Sequence, residues 1–228
     1  MKSIKSMKNQ QSGFTLVEIA IVLVIIGLLL GGILKGQELI NSAKVKAMVN
    51  DMKLVATQVY GYQDRFKAMP GDDPRANTNL AGATTATTPA ATLANGRIEG
   101  AWNSTTVTDE SFLFWQHVRL ANLATGSTNT AAVDYRPLNS ENGNLGITSA
   151  PILTAPTAPF SGSFFVCQGN INGRFARQID TTLDDGNPAT GSVRIIVGNN
   201  AATAADATTT AAMNTAGDGA VYTVCVAF

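Results

Sequence analysis

Residues 14–34 read FTLVEIAIVLVIIGLLLGGIL, an unbroken apolar run with a single charge, Glu18. As a helix rising about 1.5 Å per residue it spans about 30 Å, the thickness of a bilayer hydrocarbon core. A run of this kind must end up in lipid or against other chains. Before it lies a polar leader, MKSIKSMKNQQSG, carrying Lys2, Lys5 and Lys8. Positive charge ahead of a span holds that side in the cytoplasm and sends the rest outward. A secretory signal is the first rival reading. Its apolar part is shorter and ends at a small-x-small cleavage site, whereas this run continues through Gly31 and Gly32 into a polar helix. A plain single-span anchor is the second. It accounts for length and orientation but not for Glu18, because a carboxylate inside the span costs about 2–3 kcal/mol.

The stretch Gly13-Phe14-Thr15-Leu16-Val17-Glu18 joins a basic leader, a glycine, a phenylalanine and a glutamate at fixed offset to a membrane-length run. This combination resembles the prepilin cleavage and methylation motif of the type IV pilin and type II secretion pseudopilin family. The resemblance implies that a prepilin peptidase cuts after Gly13 and N-methylates Phe14. As partners it implies other pilin or pseudopilin subunits, an inner-membrane assembly platform and the platform's ATPase.

The offset has a physical sense. Cleavage creates an amine on Phe14, and Glu18 lies one helical turn away, about 6 Å along the axis. In a bundle of identical helices the amine of one subunit can pair with Glu18 of a neighbour, so that neither charge stays unpaired in an apolar setting. Phe14 and Glu18 are therefore the expected assembly residues. The plainer reading leaves Glu18 at the headgroup level without a task.

Gly27 and Gly31 have GxxxG spacing, as do Gly32 and Gly36. They read as close helix packing between subunits, as a locally weak helix, or as the ordinary tolerance of membrane helices for glycine. Many major pilins carry a helix-bending proline near the position of Lys35. This chain has none there, which leans towards a minor pilin or pseudopilin.

Beyond the span, Val45, Met48, Met52, Val55, Val59, Tyr62 and Phe66 recur every three or four residues, one apolar helical stripe. It is expected to pack on a globular head. Met69-Pro70-Gly71-Asp72-Asp73-Pro74 stops the helix. From Phe14 to about Ala68 the helix would be about 80 Å long, more than a head of this size could hide.

The head follows. Asp109–Ala124 reads as a second, well-buried helix with acidic residues in its first turn, and His117 within it as a structural histidine. Strands are expected at Ser163–Gln168, Ser192–Val197 and Ala220–Ala227, which are rich in Val, Ile, Phe or Tyr. The Thr/Ala/Asn-rich stretches Asn77–Ala94 and Asn199–Gly217 read as surface loops with little core. Cys167 and Cys225 fall in the first and last of the expected strands. In an exported protein two cysteines most simply form one disulfide, against two separate buried thiols. The family resemblance adds a disulfide-closed region near the C-terminus. Asp180, Asp184 and Asp185 cluster in IDTTLDDGNPATG, an oxygen-rich loop of a kind that can hold Ca²⁺. It lacks the EF-hand pattern, and a solvated turn is the simpler reading; no other cofactor is expected.

The expected fold is α+β, a long N-terminal helix, membrane-spanning in its first half, packed on a C-terminal antiparallel sheet head. Its segments are a leader (1–13), a transmembrane assembly helix (14–34), an amphipathic continuation (35–69) and a pilin-like head (70–228). With 16 basic and 16 acidic residues and no basic face, nucleic acid is not an expected partner. An enzyme is not expected either, since the chain shows no phosphate-binding glycine loop, HExxH or nucleophile elbow. What the residues and the resemblance imply together is a structural subunit of a type IV pilus-like filament (a fimbrium or a protein-secretion pseudopilus), a minor pilin or pseudopilin. Its precursor would sit in the bacterial inner membrane with a cytoplasmic N-terminus and a periplasmic head. The alternative is a single-span, membrane-anchored surface binding protein that does not polymerise.

Overall fold

The computed structural model describes residues 15–228. It divides into two compact units, the first ending at Ser42 and the second spanning Ala43–Phe228.

Helix α1 (Leu16–Phe66) provides the described structure of the first unit and the first element of the second. It is the helix among the described residues that is long and apolar enough to cross a membrane. From Thr15 to Lys35 every side chain is exposed. In lipid each backbone N–H and C=O must be satisfied within the segment, so a helix is the form that β-branched Ile and Val adopt here despite their lower helix propensity.

In the second unit the anticipated stripe is the buried face of α1. Val45, Met48, Met52, Val55, Val59 and Tyr62 are buried, and Val49, Ala56 and Gln58 widen the band. Lys46 and Lys53 fall on the exposed side, and Phe66 is half-buried. The helix ends where Lys67 turns to a positive φ of 55°. Gly71 then takes φ +98°, and a Cβ there would lie 2.3 Å from the Glu110 carbonyl oxygen. Only glycine fits that turn, because it combines left-handed backbone with direct contact on another main chain.

A short α2 (Ala76–Asn79) and then α3 (Glu110–Leu120) follow. The second helix is shorter than the expected Asp109–Ala124. Asp109 is the extended N-cap, and Asn122 at φ 59° takes the chain out of helical geometry. Every residue from Glu110 to Arg119 is buried.

The sheet contains β1 (Leu145–Thr148), β2 (Phe165–Asn172), β3 (Val193–Val197) and β4 (Val221–Ala227), in the order β1-β2-β4-β3, with every pairing antiparallel. Side chains alternate between faces with period two. Ile147, Val166, Val193, Ile195, Val224 and Val226 share one core with the stripe of α1. Phe165, Cys167, Ile196 and Cys225 point the other way, onto Trp102, Ile152 and Leu153. Gln168 Nε2 donates to the Met48 carbonyl at 2.9 Å, a polar tie between sheet and helix.

Helix α4 (Gly173–Leu183) follows β2 without a loop, its N-terminus capped by Asn172, and α5 (Thr210–Ala216) is capped by Thr209. The chain is thus α+β, a long apolar N-terminal helix whose second half packs with a four-stranded antiparallel sheet. The threonine-rich stretches are not bare loops. Leu80, Ala86, Ala207 and Met213 within them are buried, and the Thr208 N–H donates to the Ile195 carbonyl at 2.7 Å. That bond occupies the outer edge of β3, which would otherwise offer free backbone groups to another chain.

Candidate functional site

Four groups of residues concentrate chemistry. The first is the start of α1. The Thr15 backbone N–H and hydroxyl donate to Glu18 Oε2 at 2.8 and 2.9 Å, and the Glu18 N–H donates back to Thr15 Oγ1 at 3.3 Å. This reciprocal pattern is a capping box, and it satisfies N–H groups that a helix start leaves free. Glu18 Oε1 has no hydrogen bond among the described residues. Gly13 and Phe14 lie outside the described residues. A Cβ built on Gly27, Gly31, Gly32 or Gly36 would meet nothing within 4 Å. Among the described residues these glycines abut nothing, and at about 100° per residue Gly27 and Gly31 lie on one side of the helix, Gly32 and Gly36 on the other.

The second group is the disulfide. Cys167 and Cys225 face each other across β2 and β4 and are bonded, with Cα atoms 4.1 Å apart and a sequence separation of 58. Both are fully buried. The bridge ties the last strand to its neighbour in the middle of the sheet.

The third lies where the Gly71-Asp72-Asp73 turn meets α3. Asp73 accepts from Tyr62 Oη at 2.9 Å, from Asn79 at 2.7 Å and from the Arg75 N–H at 2.8 Å. Asp72 accepts from the N–H groups of Ala94 and Gly96. Glu110 beneath is fully buried and accepts the Glu99 N–H at 2.7 Å through Oε2. Burial pushes its carboxyl up to about 8, with the neighbouring charges of Asp72 and Glu99 adding to the shift against the Glu99 N–H. Fully buried His117 accepts the Gly71 N–H on Nδ1 at 2.9 Å, and its Nε2 lies 2.8 Å from the Thr84 carbonyl. Burial pushes its pKa below the ordinary value. A neutral ring with its proton on Nε2 satisfies both contacts, which is the work of a structural histidine.

The fourth is the acidic end of α4. Asp180, Asp184 and Asp185 each present a carboxylate oxygen within 4.8 Å of the others. Asp184 accepts the Val193 N–H at 2.9 Å, and Asp185 accepts the Asn187 N–H at 2.8 Å and Thr190 Oγ1 at 2.6 Å. Asp180 is fully buried.

Sequence reasoning missed the capping box although Thr15-Leu16-Val17-Glu18 spells its Thr-x-x-Glu signature. It also missed Glu110, one of two acids opening a helix, because nothing local marks which of them the fold will bury.

The chain thus combines an exposed membrane-length helix with a disulfide-closed sheet domain. Residues 8–34 match the family model of the prokaryotic N-terminal methylation motif, the prepilin-type motif of type IV pilins and pseudopilins. The chain therefore carries a prepilin-type N-terminus, which supports a pilin-like or pseudopilin protein anchored in a membrane through that helix. Proteins with this motif are generally structural rather than enzymatic. Neither the curated proteins nor the solved structures give a significant match to the chain.

Proposed function

We propose that this chain is a structural subunit of a type IV pilus-like filament, a minor pilin or pseudopilin. Prepilin peptidase removes residues 1–13 and methylates the new amine of Phe14. The product waits in the inner membrane with its head in the periplasm, and a platform protein with its ATPase then drives it into the filament. The observation that carries this reading is the junction of the methylation motif at 8–34 with a helix whose apolar residues are all exposed from Leu16 to Leu34.

The energetics follow from that exposure. Moving the helix from lipid to a bundle of sister helices exchanges one apolar setting for another, so hydrophobicity gives little net drive. Selection of register falls to close packing along Gly27, Gly31, Gly32 and Gly36 and to the pairing of Glu18 with a neighbour's Phe14 amine. Glu18 Oε1, free of the capping box, is the oxygen available for that pairing. The test is Glu18→Ala in the native host. It should be inserted and cleaved normally yet enter sheared filaments at least tenfold less than wild type. Normal incorporation would remove the assembly role of Glu18, and absence of the wild-type chain from sheared filaments would favour an anchored protein that does not polymerise.

A further inference from the structure

We propose that a cleft between α1 and α3 is a docking site for a basic peptide segment of another chain, whether or not this chain polymerises. The cleft has a volume of about 470 Å³ and is walled by α1, α3 and the segment leading into β1. That size is typical of ligand pockets. Asp51, Leu54 and Gln58 stand at i, i+3 and i+7 of α1, so they line one edge of the helix. Trp115 and Arg119 of α3 form the second wall, and Leu138 belongs to the third.

The observation beyond shape is Gln58. It is only 6% exposed, yet its Oε1 has no hydrogen-bond partner among the described residues. A buried carboxamide oxygen without a donor is strongly disfavoured. Gln58 lies on the wall of the cleft, so the missing donor can arrive from there. Asp51 is the second open acceptor. It is half-buried and makes no ion pair among the described residues. Burial raises its pKa above the ordinary value, and no neighbouring cation opposes that shift. Arg119, the cation of the cleft, is already occupied. Its Nε donates to the Thr125 carbonyl at 3.2 Å, and its Nη1 to those of Ser127 and Tyr135 at 2.8 and 2.6 Å.

These open positions choose the partner. Both are acceptors, so the occupant must bring N–H donors. The carboxylate favours a cationic one, and the carboxamide oxygen is met by a peptide N–H. Asp51 and Gln58 are about 10 Å apart along the helix axis, a distance that a lysine or arginine side chain and a nearby peptide group cover together. Leu54 and Leu138 are 53% and 57% exposed. With Trp115 they offer apolar contact to the stem of that side chain and to an aliphatic neighbour.

Isothermal titration of the full-length protein in detergent with acetyl-leucyl-arginyl-leucinamide tests the site. The peptide should bind saturably with a dissociation constant of about 0.1–1 mM. It should bind about tenfold tighter than acetyl-leucyl-glutamyl-leucinamide, and about tenfold tighter than arginine amide alone, which lacks the flanking peptide. Asp51→Asn and Gln58→Leu should each weaken binding about fivefold. Neither should lower Tm, because each removes a charge or an amide that has no partner in the free chain. Leu138→Ser, in an exposed segment, should also weaken binding and serves if either variant does not fold. No binding of the arginine peptide, equal binding of the glutamyl peptide or of arginine amide, or unchanged binding by either α1 variant would overturn the assignment.

Discussion

Glu18 is held by Thr15 through a single oxygen. Oε2 accepts both the backbone N–H and the hydroxyl of Thr15 at 2.8 and 2.9 Å, and Oε1 is left free. The same carboxylate can therefore close the helix start and meet a positive group from another chain. Two substitutions separate these tasks. Glu18→Gln keeps a side chain able to complete the capping box but has no charge. It should be cleaved normally and assemble at least tenfold less than wild type. Thr15→Ala keeps the charge and weakens the helix start by about 1 kcal/mol; it should still assemble. Immunoblots of sheared filaments read both, and equal incorporation of Glu18→Gln and wild type would assign Glu18 to capping alone.

The disulfide joins cysteines 58 positions apart in sequence. In the chain-entropy account that is about 4 kcal/mol of stability. Cys167→Ala with Cys225→Ala should lower the unfolding free energy by up to that amount, measured by denaturant titration. A double variant as stable as wild type would mean that the four-stranded sheet holds β4 unaided.

Glu110 makes stability depend on pH in an unusual direction for a carboxyl. Its folded-state value is raised from 4.5 to about 8, so the folded chain holds this proton more tightly than the unfolded one. The resulting stabilisation is complete below the ordinary carboxyl value and is lost as pH rises through about 8. Glu110→Gln supplies an acceptor for the Glu99 N–H and a donor towards Asp72 at every pH. It should flatten the alkaline loss and exceed wild-type stability above about pH 8, as read from Tm against pH. Parallel profiles for the two proteins would remove Glu110 as the cause.

Gly71 should tolerate no side chain. Its φ of +98° and the approach to the Glu110 carbonyl add left-handed strain to a main-chain clash. Gly71→Ala should cost about 2–4 kcal/mol, whereas Gly82→Ala, also at positive φ but with open space around it, should cost about 1 kcal/mol. Comparable losses at the two sites would mean that the clash is relieved by a shift of α3.

Where the sequence was most readable, one-dimensional pattern and three-dimensional contact coincide. The stripe from Val45 to Tyr62 follows the helical period, and those residues are the buried face of α1. The strands around Cys167, Ile195 and Val224 were visible through their β-branched runs, with ends shifted by a few residues. Helix α4 was hidden because its apolar residues, Phe175, Ala176 and Ile179, are few within a polar segment. Strand β1 is four residues long and is stabilised by pairing with β2 rather than by its own composition. The buried parts of the threonine-rich stretches escaped notice because Ala86, Ala207 and Thr208 are small and acquire their burial from distant partners.

The mature N-terminus tests the central claim most directly. Tandem mass spectrometry of the protein isolated from its native membrane should find an N-terminal peptide beginning at methylated Phe14. A peptide beginning at Met1 and retaining Lys2, Lys5 and Lys8, in cells whose prepilin peptidase processes other substrates, would contradict it.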